Sequence, residues 1–509
     1  MLFTLSALLI VVNSHAQIEV ESDAYLNVNA GAYLFTSHDL TINSGGVFNL
    51  YGCATINGTL SNSAGTSGLV VHSDASNTGS LIESSGVNAT VERFISQDVY
   101  HYITSPVTGQ NISLLQSGTP HTQFDLFWYD EDYSGGLGPA WIDASSQSGD
   151  LEVGLGYTYA YKLDNRTLEF TGTTNTGDIN ETVTYTYNAT YSTSQWYFGW
   201  NLIGNPYPSR INATSFVNEN SNIYGTLYFW DEGAAYSSGR NDYSTWNQTG
   251  ATSGGGGQTP NGYIDVGQAF FVHYGSGTGQ TSSTVSFKNS MRVHDQAVFF
   301  KNSDPWRYKI SLENDDSDYN ETLIGFVPGC SNGFDNKYDG YKLKGNNMIA
   351  LYSKLVADDG YDYAIQALPP LSPKGVTVKL GMYAGKTGLY TFKVVSKENF
   401  NDTLAVYLED AYLNTYTNLN YYPEYHFSVN NIGEHNDRFF LHFHNHGLGV
   451  EEHQEDNGFI VYASHGNVII ENKLPGEKFT ASIYDALGRI LHKEEIYNEK
   501  RTEIKLNAG

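Results

Sequence analysis

Cysteine is nearly absent: Cys53 and Cys330 are the only two in 509 residues. Two thiols cannot build a disulfide framework or a zinc ribbon. Basic residues are scarce too, with 27 Lys+Arg against 54 Asp+Glu and a net charge of −27. Binding nucleic acid requires clustered cations to neutralise phosphates, and no such cluster occurs, so that partner is excluded. Charged residues make up 16%, against roughly 25% in an average globular chain. After the N-terminal segment, no run approaches the roughly 18 apolar residues of a membrane helix, so no transmembrane segment is expected. Phosphate-binding glycine loops, nucleophile elbows and HExxH helices are also missing. What the chain does have is 39 Tyr, 52 Gly and a 40% hydrophobic fraction. A disordered acidic chain would lack that apolar content, which suffices for several cores. At about 150 residues per domain, three or four domains are expected. The composition predicts an acidic, multidomain all-β protein.

The two ends read as addresses. Residues 1–16, MLFTLSALLIVVNSHA, place a short apolar core before polar Asn13 and Ser14 and the small Ala16. That is the layout of a secretory signal peptide, although it has no Lys or Arg ahead of the apolar core. At the other end, residues 458–509 alternate short β-prone runs with turn formers such as Pro475-Gly476 and Gly488, as in a small antiparallel sandwich. Within them stand Tyr484-Asp485-Ala486-Leu487-Gly488-Arg489 and Leu506-Asn507-Ala508-Gly509. These residues resemble the type A C-terminal sorting domain of type IX secretion cargo. The resemblance implies an Ig-like domain with Tyr484, Asp485, Leu487, Gly488, Arg489, Leu506 and Gly509 as its motif. It also implies the type IX machinery as a partner and secretion or display at the outer surface of a Gram-negative bacterium. Family members continue with an apolar-aromatic strand and a basic end, so the domain is expected to be incomplete here.

Between the ends, residues 17–92 carry the apolar pairs Leu26/Val28, Leu40/Ile42, Phe48/Leu50, Leu69/Val71 and Leu81/Ile82, about ten residues apart. Short strands with one small inward face must stack on neighbours, which predicts a β-solenoid-like region. A tandem repeat follows. Tyr102-Ile103-Thr104-Ser105-Pro106 matches Leu202-Ile203-Gly204-Asn205-Pro206, and Phe127-Trp128-Tyr129-Asp130-Glu131 matches Tyr228-Phe229-Trp230-Asp231-Glu232. Val153-Gly154-Leu155-Gly156-Tyr157 matches Val266-Gly267-Gln268-Ala269-Phe270, and Trp141 is aligned with Trp246. Two β-sandwich or jelly-roll units, residues 93–195 and 196–300, account for this. A further β-sandwich is expected over 301–446 and a polar linker over 447–457. Glu321 to Phe326, Gly333 to Asp339, Leu408 to Leu419 and Gly199 to Ser209 also resemble passenger regions of type IX cargo.

Candidate chemistry is sparse. Asp130-Glu131 and Asp231-Glu232 supply paired carboxylates of the glycosidase kind. Neighbouring strand residues point to opposite faces, however, so ending a strand and satisfying turn amides is the favoured role. His442, His444 and His446 alternate along one strand face and are candidate metal ligands. Asp315, Asp316 and Asp318 lie in an oxygen-rich loop of the kind that holds calcium, the one cofactor considered, although EF-hand spacing fails there. Tyr133, Tyr243 and Trp246 sit in Gly/Ser-rich stretches where aromatic rings could stack on sugars. No catalytic constellation emerges. The expected function is therefore a non-catalytic surface protein for adhesion, matrix contact or recognition of an extracellular glycan or protein. A polysaccharide-binding or polysaccharide-degrading protein is the alternative.

Overall fold

A computed structural model describes residues 2–5, 17–132, 139–189, 192, 197–230, 242–255, 257–275, 280–294, 305–400, 404–445, 459–464, 467–472, 478–484, 490–497 and 501–505. It is a multidomain, nearly all-β structure. No helix among the described residues is long and apolar enough to cross a membrane. The chain forms two compact units: Met1–Ser303 with Asp335–Asn346, and Asp304–Phe334 with Asn347–Gly509.

The first unit begins as a solenoid of parallel strands. Tyr25–Val28, Val47–Leu50 and Leu69–Val71 stack in one ladder. Ile18–Val20, Leu40–Ile42 and Leu60–Asn62 form a second. Tyr33–Thr36, Cys53–Ile56 and Ser80–Ile82 form the third. Period-two alternation turns Val28, Leu34, Leu40, Ile42, Phe48, Leu50, Ile56, Leu69 and Val71 into the core. Leu81 and Ile82 are chain neighbours, so Leu81 alone is fully buried. Leu2–Leu5 adds a further parallel strand beside Tyr25–Val28.

The first ladder runs on into the repeat, because Asn88–Ile95 pairs with both Leu69–Val71 and Arg166–Thr174. The expected boundary at 92/93 therefore falls inside a strand. In the first copy, His101–Ile103, Tyr157–Tyr161, Phe124–Asp130 and Ala140–Asp143 form a sheet in that spatial order. In the second copy, Trp200–Gly204, Ala269–His273, Leu227–Trp230 and Tyr243–Asn247 repeat the order. Each copy also has a pair of long strands made from its two ends. These are Asn88–Ile95 with Arg166–Thr174, and Ile179–Thr186 with Gln280–Phe287. The strand Ile179–Thr186 thus opens the second copy instead of closing the first, and the expected 195/196 division moves accordingly. Asp335–Asn346 also belongs to this unit, held by a buried Lys342–Asp242 ion pair at 2.7 Å and by the bond from Thr226 Oγ1 to the Asp339 carbonyl at 2.8 Å.

The second unit is built on one long sheet running from Thr415–Asn418 at one edge to Glu424–Val429 at the other. Most of its pairings are antiparallel, while Tyr319–Phe326 runs parallel to Tyr363–Leu368. The sheet curls back on itself: Phe427, on the edge strand, lies 4.6 Å from Phe439, whose strand is near the opposite edge. Tyr308, Leu351, Leu380, Phe392, Leu408 and Phe443 fill the enclosed core. In the tail, Phe459–Ser464, Asn467–Asn472 and Arg501–Lys505 form one small sheet, while Lys478–Tyr484 and Ile490–Tyr497 form a hairpin. Ile470, Ile496 and Ile504 are its buried core.

Candidate binding cleft

The two copies of the repeat meet through reciprocal contacts. The Thr104 amide bonds the Gly267 carbonyl at 3.0 Å, and the Gly204 amide bonds the Gly154 carbonyl at 2.8 Å. Thr104 and Gly204 are equivalent positions, as are Gly154 and Gly267. The bridges Ile103–Gln268 and Leu155–Ile203 repeat the exchange. Such pairs describe a local two-fold relation between the copies. Gly154 and Gly267 both take left-handed backbone, with φ of 95° and 62°, a conformation a side chain would strain.

Around this axis the inner faces of the two sheets carry aromatic side chains. Strand register fixes the equivalences. Tyr129 pairs with Trp141 in the first copy, and Trp230 pairs with Tyr243 in the second. The partner of Trp141 is therefore Tyr243, not Trp246 as the sequence alignment had it. Tyr102 lies opposite Thr158, just as Leu202 lies opposite Phe271. The rings of Tyr102, Tyr129, Trp141, Trp230, Tyr243 and Phe271 form one network with centroid separations from 4.9 to 6.5 Å.

The two halves of the network are not filled alike. On the second-copy side, Trp200 packs against Tyr228 at 5.1 Å and near Phe271 at 6.5 Å, closing the space. On the first-copy side the equivalents are the smaller Tyr100 and Thr158. There a cleft of about 430 Å³ stays open, lined by Tyr100, Tyr102, Phe127, Trp141, Trp230 and Tyr243 with Thr158 in its wall. Lys344 and Gly345 complete the lining.

Polar groups around the cleft are few. The Thr158 hydroxyl and the Trp230 indole N–H are buried and have no hydrogen-bond partner among the described residues. Tyr102 and Tyr243 share a hydroxyl–hydroxyl bond of 3.1 Å. Burial raises both phenols, Tyr243 to about 12, so they stay neutral and can donate. An apolar, aromatic pocket with a few fixed donors suits a flat ligand with one apolar face and a hydroxylated edge.

The other expected positions lie elsewhere. Trp246 is 8% exposed and belongs to the second copy's own core, so it cannot meet a ligand. Tyr133, Asp231 and Glu232 lie outside the described residues. Glu131 is buried, and its carboxylate accepts from the Thr186 amide at 3.0 Å, the Gly199 amide at 2.7 Å and the Thr186 hydroxyl at 2.8 Å. These donors lie 55 and 68 residues along the chain, at the end of Ile179–Thr186 and just before Trp200–Gly204, so Glu131 ties the first copy to the second, while the local turn amide of Asp132 is taken by Asp130 at 2.9 Å.

Both ring nitrogens of His442 are engaged, at 2.7 Å by Glu409 and at 2.9 Å by Thr377, while His444 stacks beside it and His446 lies outside the described residues. The metal reading of this strand is therefore not supported by His442: a metal would first have to displace a hydrogen bond. Lys386 pairs with Asp316 and sits 4.0 Å from Asp318, supplying a positive charge where a calcium ion was expected; Asp315 flanks this turn. No group of three or more His, Cys, Asp or Glu placed to hold a metal ion occurs among the described residues. In the tail motif, Tyr484 ends a strand, and Asp485, Leu487, Gly488, Arg489, Leu506 and Gly509 lie outside the described residues. Sequence reasoning missed Tyr102, Trp141, Thr158 and Trp230 as one site. The repeat alignment held the signal, since it marks Thr158 as the position where the second copy has Phe271.

A model of a domain of unknown function, DUF8693, matches residues 7–443. The chain belongs to the DUF8693 family. The family match takes in the solenoid, both copies of the repeat and the sheet of the second unit, and stops ahead of the tail. No curated protein matches the chain, and no solved structure does.

Proposed function

We propose that this DUF8693 protein is a non-catalytic recognition protein of the cell exterior, and that its ligand is a carbohydrate bound in the cleft between the two repeat copies. The observation that carries the reading is the asymmetry about the local two-fold: Thr158 stands where the second copy has Phe271, and the space is bordered by Tyr102, Trp141, Trp230 and Tyr243. Sugar rings have apolar axial C–H faces that stack on such side chains, and hydroxyl edges that bond fixed donors. Delivery by type IX secretion remains part of the proposal on the resemblance of residues 458–509, with residues 1–16 as the leader. The strand Leu2–Leu5 would leave with that leader.

A glycan array probed with the purified protein tests the reading. Binding to a defined set of saccharides that falls at least about tenfold in Trp230→Ala supports it. Binding that ignores Trp230→Ala, or no binding at all, refutes the site. Deleting residues 458–509 from the full-length gene in its host, followed by cell fractionation, tests delivery. Unchanged surface delivery refutes the sorting role.

A further inference from the structure

The open copy differs from the closed one in polar groups as well as in size. Strand register sets Tyr102, Thr158, Phe127 and Asp143 in one row across the first sheet. Residues directly opposite share a face, so Asp143 stands on the face that carries the cleft. Trp141 is on that face too, two residues back along the same strand and about 7 Å away. Asp125, two residues before Phe127, shares the face as well. By the same register the second copy has Thr226 in place of Asp125 and Thr245 in place of Asp143.

His121 bridges the two carboxylates. Its Nδ1 lies 3.2 Å from Asp125 Oδ1, and its Nε2 lies 3.1 Å from Asp143 Oδ2. Two residues that line the cleft touch this cluster. Tyr100 donates to Asp125 at 2.8 Å, and the Phe127 ring lies 5.9 Å from the imidazole. Lys162 holds the other side of the cluster, with its Nζ 2.8 Å from Asp125 Oδ2 and donating to the His121 carbonyl at 2.8 Å. The Asp125 side chain is 4% exposed, whereas those of Asp143 and His121 are 44% and 53% exposed.

A neutral imidazole has one N–H and can satisfy only one of two carboxylates. That proton belongs with the buried Asp125, because the exposed Asp143 keeps its water. His121 Nε2 and Asp143 Oδ2 are then two solvent-facing acceptors 3.1 Å apart. Hydroxyls on neighbouring carbons of a sugar ring offer two donors at a comparable spacing. A ligand is called for independently by Thr158, in the same row. Its hydroxyl lines the cleft, is 5% exposed and has no partner among the described residues.

We propose that His121 and Asp143 form a second subsite, which takes two adjacent hydroxyls of the sugar ring next to the one stacked in the cleft. The ligand is then an oligosaccharide with a free vicinal diol. This rests on the glycan reading above and specifies its substrate class.

Calorimetric titration of the full chain with cellotriose, mannotriose and galactotriose, each beside its methyl monosaccharide, tests the proposal. Expected is binding of at least one trisaccharide about tenfold or more tighter than its methyl glycoside. Lowering the pH from about 8 to about 5 charges His121, which then donates to both carboxylates, so the gap should narrow. Asp143→Asn keeps an acceptor for the Ser145 amide, now bonded at 2.8 Å. It should bring the gap below about twofold while methyl glycoside binding persists. Asp143→Thr, which installs the residue of the second copy, should do the same. A trisaccharide no tighter than its glycoside, a gap indifferent to pH, or a gap kept by both variants overturns the second subsite. If the glycosides still bind in a Trp230-dependent way, the cleft reading survives that failure. If no probe binds, both fall.

Discussion

Replacing Thr158 by phenylalanine should close the cleft and strengthen the fold at once. The second copy supplies the template, since Phe271 occupies the equivalent place, paired across from Tyr228 as Thr158 is from Phe127. A fully buried phenylalanine side chain is worth roughly 2–3 kcal/mol over exposure, and about half of that is new relative to threonine. The buried Thr158 hydroxyl has no partner among the described residues, and an unsatisfied buried hydroxyl costs about 1 kcal/mol or more. Ordering the new ring takes back up to about 1 kcal/mol. The net expectation is a gain of about 1–2 kcal/mol, read from the urea transition of the first unit. Thr158→Val isolates the hydroxyl, keeps the volume, and should gain about 1 kcal/mol. Glycan binding should survive in the valine variant and disappear in the phenylalanine variant. A loss of stability in Thr158→Val would mean that the hydroxyl is paired. A loss of about 2 kcal/mol in Thr158→Phe would mean that this side of the axis is not the open counterpart of the Phe271 side.

Three further outcomes follow from buried polar groups. Burial, with the charge of Glu152 adding to it, pushes the Glu181 carboxyl from its ordinary 4.5 up to about 7. The folded state therefore holds the proton more tightly than the unfolded chain, and stability should fall as pH rises from about 4.5 through 7, by up to about 3 kcal/mol. Glu181→Gln should flatten that slope in denaturation curves taken across this range, and an unchanged slope refutes the assignment. Arg292 donates to the carbonyls of Leu81 at 2.8 Å and Glu83 at 2.6 Å and to Ser209 Oγ at 3.1 Å, with its guanidinium over Tyr207. Arg292→Met removes these three bonds, leaving the Glu83 carbonyl only its bond from Thr176 Oγ1 at 3.1 Å, and should cost about 3 kcal/mol; a cost under about 1 kcal/mol in the same assay contradicts the clamp. Glu131→Gln should cost about 1–2 kcal/mol through its two backbone amides and leave glycan binding unchanged. Reducing-sugar release that vanishes in that variant, with stability intact, would make Glu131 catalytic instead.

The solenoid and the repeat were legible because each leaves a period in the chain. In the solenoid, apolar pairs about ten residues apart stand for strands that return to the same ladder after 20 to 22 residues, as in Tyr33↔Cys53 and Tyr25↔Val47. Element edges were less legible. Ile179–Thr186 reads equally well as the last strand of one copy or the first of the next, and only its pairing with Gln280–Phe287 decides. The place of Asp335–Asn346 in the first unit was hidden for a similar reason: a buried ion pair with Asp242 bridges 100 residues of chain.

The site itself was half legible, and the missing half is instructive. Matching tryptophan to tryptophan aligned Trp141 with Trp246, yet strand pairing puts Tyr243 at the equivalent place and sends Trp246 into the core. Residue identity is a weak guide where both faces of a sheet are buried, since inward and outward positions are then equally apolar. In Trp200–Gly204 and Ala269–His273 every residue is buried, so alternation carries no mark of which face meets the other copy. The backbone relation between the copies is held by contacts that do not depend on ring size, at Thr104, Gly154, Gly204 and Gly267. Side chains near the axis can therefore differ between copies without disturbing it. Tyr100 against Trp200 and Thr158 against Phe271 are such differences, both smaller on the same side. An opening made this way has no motif in either copy alone, and it becomes visible only when one copy is used to measure the other.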